Sequence, residues 1–119
     1  MAKFVYRMQS ILNIKEKMEE QAKQAFANAR MQLNVEEERL QRLQQRRIQY
    51  LAEGAVLRQE ILDSLKLQEN EAALVYIKVS IEEQRVRVKR AEEALERARI
   101  TLQEYMIERR KRARKWMNW

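Results

Sequence analysis

The feature that most constrains this chain is a mostly apolar seam that recurs at alternating steps of three and four residues through its second half. The positions are Leu74, Ile77, Ile81, Gln84, Val88, Ala91, Leu95, Ala98, Leu102, Tyr105, Arg109, Arg112 and Trp116. Most residues between them are Glu, Gln, Lys or Arg. A seam that repeats every 3.5 residues keeps facing a partner helix along a left-handed supercoil. We therefore predict a long coiled-coil helix.

A second stripe of the same spacing runs through the first half, from Phe4 to Ile61. Its first members are Phe4, Met8, Ile11, Lys15, Met18, Ala22 and Phe26. Two steps of four follow each other at Met18–Ala22–Phe26, and such a stutter predicts local unwinding of the supercoil. The periodicity fails over residues 62–70, where Asp63 or Ser64 is suited to cap a helix. We predict one coiled-coil domain over 1–119, with helix 1 at about 3–61, a turn at about 62–70 and helix 2 at about 71–117.

The two stripes fit each other in an antiparallel hairpin, in which the numbers of opposite residues have a constant sum. A sum of 131 places large side chains opposite small ones, such as Leu33 opposite Ala98, and the polar Arg47 opposite Gln84. Complementary sizes are what a close-packed seam needs. A sum of 124, one heptad away, places Arg47 opposite Ile77 and is less favourable, but it stays open. The predicted fold is all-α, a long two-helix antiparallel coiled-coil hairpin within one chain.

The composition agrees with long helices and argues against a catalytic globule. Among 119 residues there are one Gly and no Pro, and 36% of the residues are charged. Such a chain buries a narrow stripe and leaves little room for an enclosed pocket. The absence of Cys and His excludes disulfides and the usual zinc sites, and it removes the commonest nucleophiles and bases. We predict that the protein is no enzyme and has no cofactor or metal. Without a signal peptide or an apolar run of about 20 residues, it is expected to be soluble and intracellular.

The net charge of +7 is concentrated at one end of the chain. Six Lys or Arg residues fall within positions 109–115, which contain no acid. Three interpretations stay open: contact with an acidic protein partner, a solvated helix end that complements the helix dipole, and nucleic-acid binding. We give the third less weight, because no nucleic-acid fold accompanies the run and aromatic residues are not interleaved with it.

Two stretches resemble the FliJ family of the bacterial flagellar export apparatus. The chain opens with KFVYRMQSILNIKEK at residues 3–17, an aromatic-basic pair and an apolar pair followed by a Lys/Glu cluster. Residues 74–84, LVYIKVSIEEQ, resemble the second helix of the family. The likeness covers essentially the whole chain in element order and spacing. Family members usually extend further at the C-terminus, so Trp119 is interpreted as the end of a truncated or short member.

The resemblance implies an antiparallel coiled coil similar to the central stalk of rotary ATPases. It implies a cytoplasmic protein, peripheral to the inner-membrane export apparatus, that stimulates the hexameric export ATPase FliI and binds the export-gate protein FlhA and export chaperones. Contact with the membrane is expected only through protein partners, and no small-molecule ligand is expected. The alternatives are a nucleic-acid-associated basic coiled coil and a generic structural coiled-coil adaptor.

The implied contact residues fall into two groups. The gate-binding candidates lie on the hairpin half, with Tyr76 added because it lies beside Ile77 outside the strict seam. They are Leu43, Tyr50, Tyr76, Ile77 and Gln84. The ATPase-ring candidates lie at the open end, where the chain termini meet. They are Lys15, Arg109, Arg110, Arg112 and Arg114.

Overall fold

Two long α-helices make up the described part of the chain. The computed structural model describes the backbone of residues 2–60 and 63–117, and side chains as far as residue 115. Helix α1 spans Ala2–Gln59 and has 58 residues, and α2 spans Ser64–Met117 and has 54 residues. These ranges contain no strand. Neither helix contains a proline, so no backbone donor is missing from its hydrogen-bond ladder.

Helix α2 begins seven residues earlier than predicted, because Asp63 caps it. The Asp63 Oδ1 atom accepts hydrogen bonds from the backbone N–H groups of Leu65 at 3.2 Å and Lys66 at 3.4 Å. These groups have no partner within the first turn of a helix. The predicted turn is therefore wrong for residues 64–70, while Ile61 and Leu62 lie outside the described residues.

The chain divides into two compact units. We call Met1–Met31 with Glu92–Trp119 the open-end unit, and Gln32–Ala91 the hairpin unit. In the hairpin unit Glu36 contacts Gln84, and Tyr50 contacts Asn70 further along α1. In the open-end unit Lys15 contacts Glu108, and Leu12 and Ala113 line the same shallow groove. In each unit, residues with higher numbers in α1 contact residues with lower numbers in α2. This confirms the antiparallel helical hairpin. The assignment of 1–119 to a single domain stays a prediction.

The seam register differs from the one the sequence favoured. The residue numbers add up to 120 for Glu36 with Gln84 and for Tyr50 with Asn70, and to 123 for Lys15 with Glu108. These values lie closer to 124, the register judged less favourable, than to 131. The predicted pairing of Arg47 with Gln84 is therefore wrong. Arg47 is exposed, since a long guanidinium side chain can leave the seam, whereas the shorter Gln84 and Glu36 are buried and need each other.

The predicted stutter is also wrong. The least exposed positions at the start of α1 alternate regularly by four and three residues. They are Met8, Leu12, Lys15, Glu19, Ala22, Phe26 and Ala29. Ile11 is 50% exposed and Met18 is 41% exposed, whereas Glu19 is buried. Periodicity favours the apolar neighbours of Glu19, because the sequence does not show that this acid has an arginine partner on α2, Arg109.

The apolar interior is narrow and is interrupted by polar side chains. Among the described residues, the buried apolar set is Ala22, Ile77, Ile81, Val88 and Ala91. The buried polar set is Glu19, Glu36, Asn70 and Gln84. Buried polar groups cost stability unless they are hydrogen-bonded, so their partners help to fix the seam register.

Candidate functional site

A polar layer in the hairpin unit joins the two helices at Glu36 and Gln84. The Gln84 amide donates hydrogen bonds to the backbone carbonyl of Glu36, at 3.0 Å, and to its carboxylate. Arg39 and Gln32 donate to the other carboxylate oxygen at 3.1 Å and 3.0 Å. Hydrogen bonds to both of its oxygens hold the Glu36 carboxylate in place. The Gln84 amide group donates its hydrogen bonds inside the helix pair.

A second polar layer joins Asn70 of α2 to α1. The Asn70 Nδ2 atom donates to the Tyr50 carbonyl at 2.9 Å. Its Oδ1 atom lies 2.5 Å from the place where a Cβ on Gly54 would stand. The only glycine in the sequence thus makes room for a buried amide. Leu67 and Asn70 continue the spacing of three and four residues back from Leu74, so the spacing itself indicates that the helix begins earlier. Asn70 was not recognised as a seam position because it is polar.

The five gate-binding candidates do not share one surface. Tyr76 is 72% exposed, and Leu43 and Tyr50 are half-buried. Ile77 is 1% exposed and Gln84 is 5% exposed, since both fill the seam. These two side chains offer no surface to a partner in this conformation, so their prediction as contact residues is corrected. A role in gate binding stays a prediction for the other three.

The hairpin unit also has a shallow, mainly basic groove that the sequence analysis did not predict. Three cations and one acid line it, together with Gln44, Ile48 and the buried Ile81; the charged residues are Arg47, Lys78, Arg85 and Glu82. Arg47 occupies a seam position by spacing but turns out of the seam. The sequence did contain a signal for this groove, because Arg47 is a long cationic residue at a seam position. Such a side chain tends to extend its charge to solvent.

In the open-end unit, two of the predicted basic contact residues are engaged within the chain. Lys15 Nζ lies 2.9 Å from a carboxylate oxygen of Glu108, and this hydrogen bond lowers the pKa of the Glu108 carboxyl. Arg109 Nη1 lies 3.1 Å from Oε1 of the buried Glu19, an ion pair without hydrogen-bond alignment. Both residues therefore contribute to helix pairing.

The other three basic candidates differ in exposure. Arg110 and Arg114 are exposed. Arg112 is half-buried, and its buried Nε and Nη1 atoms find no hydrogen-bond partner among the side chains described as far as residue 115. Arg112 borders a shallow groove with Leu12, Glu16 and Ala113. Of the five candidates, Arg110 and Arg114 present their charge most freely to an acidic partner.

The chain is similar to one known protein family. The family model described as "Flagellar FliJ protein" matches residues 4–114. The chain belongs to the FliJ family. The comparisons of this chain with curated proteins and with solved structures found no match. FliJ is a non-catalytic component of the flagellar protein-export apparatus, so the polar clusters above are considered as parts of binding surfaces or helix-pairing contacts.

Two further properties of this FliJ-family chain bear on its site. Within residues 2–60 and 63–117, no three acidic side chains form a group that could hold a metal ion. In the same ranges, no helix has an apolar segment long enough to cross a bilayer.

Proposed function

We propose that this FliJ-family chain binds and stimulates the FliI export ATPase hexamer through its open-end unit and contacts the export gate through its hairpin unit. The observation that carries the first part is the exposed basic end of α2. Arg110 and Arg114 are exposed there, beyond the last acid of the helix, Glu108. Charges of this kind accelerate and orient association with an acidic partner.

In the proposed mechanism, the ends of the two paired helices enter the centre of the ATPase ring. The exposed cations contact acidic loops of the ring. The intramolecular pairs Lys15–Glu108 and Arg109–Glu19 keep the two helices together during this contact. Ring subunits that meet different faces of the helix pair adopt different nucleotide states in turn. Export chaperones are further proposed partners, at the cytoplasmic side of the inner-membrane apparatus.

For gate binding, the proposed contact residue with the greatest exposure is Tyr76. A tyrosine offers a large apolar ring together with a hydroxyl group, a combination enriched at the energetic centres of interfaces. The half-buried Leu43 and Tyr50 are proposed to contribute the edges of the same surface. Their burial in the seam limits the area that each of them can offer.

The ATPase part is tested by charge reversal at the exposed end of α2. The variant Arg110→Glu with Arg114→Glu is expected to lose most of the stimulation of purified FliI, because both side chains are exposed. Its control is Arg46→Glu with Arg90→Glu, which makes the same charge change at exposed positions of the hairpin unit. Steady-state ATPase rates and hexamer content by sedimentation are measured. Absence of any stimulation by the folded parent protein, at saturating concentration, would refute the proposal.

The gate part is tested at two neighbouring exposed residues. Tyr76→Ala is expected to weaken binding to the cytoplasmic domain of FlhA at least about tenfold, the range of an interface hot spot. Val75→Ala is the control, because Val75 is 66% exposed and points about 100° away around the helix. Binding is measured by calorimetry. Equal affinities of the two variants would exclude Tyr76 as the contact.

A further inference from the structure

An apolar stripe that faces solvent runs along the first five turns of α1. Phe4, Ile11 and Met18 recur every seven residues and therefore share a face, which Ile14 flanks. Their exposed fractions are 62%, 50%, 41% and 58% in the order Phe4, Ile11, Met18 and Ile14. The seam runs beside this stripe through Met8, Lys15 and Ala22, so the described side chains of α2 leave it uncovered. An apolar face of this length is expected to meet an apolar partner.

Basic side chains border this stripe on both helices. On α1, Arg7 lies one turn from both Phe4 and Ile11, and Lys3 lies one turn before Arg7. On α2, Lys111 and Lys115 lie one and two turns after Glu108, which Lys15 contacts across the seam. Residues 2–15 and 109–115 together contain nine Lys and Arg residues and no Asp or Glu. Positive charge therefore predominates around the stripe. Acids lie near its end at Met18, which Glu16 and Glu20 flank in sequence, and at Glu108, which contacts Lys15.

We propose that this face of the open-end unit binds directly to the surface of an anionic lipid bilayer. The exposed Phe, Ile and Met side chains would enter the boundary between headgroups and acyl chains, while Lys and Arg contact lipid phosphates. Amphipathic helices with a basic polar face bind membranes in this way. This goes beyond the expectation that the chain meets the membrane only through protein partners, and it does not depend on binding to FliI.

The arrangement favours a bilayer over two other anionic partners. Nucleic acid would neutralise the cations but would leave the aliphatic Ile11, Ile14 and Met18 in water. A single acidic helix would cover one flank of the stripe, whereas the cations lie on two helices at either side of it. A laterally extended surface with anionic groups above an apolar layer matches both the stripe and its two borders.

The test uses the full chain and vesicles of phosphatidylcholine, with or without about one third phosphatidylglycerol. Cosedimentation at about 150 mM salt is expected to show binding to the anionic vesicles and none to the neutral ones. Phe4→Ser with Ile11→Ser is expected to reduce the affinity at least about tenfold. Lys111→Gln with Lys115→Gln is expected to reduce it about fivefold for each charge removed. The matched controls are Val75→Ser with Val79→Ser and Arg46→Gln with Arg90→Gln, which are expected to bind like the parent.

A probe reports whether the apolar stripe enters the bilayer. The sequence has no cysteine, so Phe4→Cys and Val75→Cys can each carry a single environment-sensitive dye. Anionic vesicles are expected to shift the emission of the dye at position 4 to the blue and to leave that at position 75 unchanged. Three results would overturn the proposal: equal binding to neutral vesicles, unchanged binding of the folded serine variant, or a dye at position 4 that stays in water. Displacement of the protein by an oligonucleotide, with no blue shift on vesicles, would assign the cations to nucleic acid instead. ATPase stimulation is measured separately, so either proposal can fail alone.

Discussion

At the residue scale, Arg109 and Arg110 are sequence neighbours with different structural surroundings. Arg109 pairs with the buried carboxylate of Glu19, whereas Arg110 is exposed. Arg109→Ala is expected to lower the free energy of unfolding by about 1–2 kcal/mol, because it leaves a buried carboxylate without its cation. Arg110→Ala is expected to change it by less than about 0.5 kcal/mol. Urea unfolding followed by circular dichroism measures both, and equal values would contradict the assigned pair.

Gly54 provides a second test at a single position. Alanine is normally favoured over glycine inside a helix by about 1 kcal/mol. Here Gly54→Ala is expected to destabilise the protein, since its Cβ would stand 2.5 Å from the Asn70 oxygen and displace the amide from the Tyr50 carbonyl. Adding Asn70→Ala should remove the collision and make the double variant more stable than Gly54→Ala alone. A single Gly54→Ala variant more stable than the parent in urea unfolding would refute this packing.

The lowered pKa of Glu108 predicts a dependence of stability on pH. The hydrogen bond from Lys15 favours the charged carboxylate in the folded state, so it stabilises the fold at pH above the ordinary carboxyl value, about 4.3. This contribution is lost as the pH falls through the lowered folded-state value. The stability difference between the parent and Glu108→Gln is therefore expected to be constant near neutral pH and to shrink below about pH 4. Unfolding curves across this pH range measure the stability difference. A difference that grows on acidification would contradict a stabilising pair of Lys15 with the charged Glu108.

At the element scale, the start of α2 depends on Asp63. Asp63→Ala is expected to cost about 1 kcal/mol, because the N–H groups of Leu65 and Lys66 lose their acceptor. Asp63→Asn keeps an acceptor oxygen and is expected to retain most of the stability. Thermal unfolding of the three proteins measures the cap. Equal losses for the alanine and asparagine variants would mean that the acceptor does not stabilise this helix.

The helices could be predicted from the sequence, but their register could not. Apolar spacing identified most of the seam from Leu74 to Tyr105, since each position is apolar or lies between apolar ones. It failed at Glu19 and Asn70, because polar residues are buried only when a partner on the other helix satisfies them. The predicted pairing of Arg47 with Gln84 was wrong, because the long side chain of Arg47 can leave the seam. Register therefore depended on contacts between residues far apart in sequence.

At the scale of the whole molecule, family and fold were predictable, and the contact surfaces were only partly so. The resemblance in residues 3–17 and 74–84 agrees with the family match over residues 4–114. Exposure could not be derived from that resemblance. Exposure separates Tyr76 from the buried Ile77, and an ion pair with Glu19 separates Arg109 from Arg110, although the members of each pair are adjacent in sequence.

The narrow apolar interior has a consequence for how the protein responds to temperature. Because side chains such as Glu36 and Gln84 occupy interior positions that aliphatic groups fill in other coiled coils, unfolding exposes comparatively little hydrocarbon to water. The heat capacity increment of unfolding arises mainly from that exposure, so we expect it to fall below the usual value of about 12–15 cal/mol/K per residue. A small heat capacity increment flattens the curve of the free energy of unfolding against temperature. The free energy of unfolding should then decrease little on cooling.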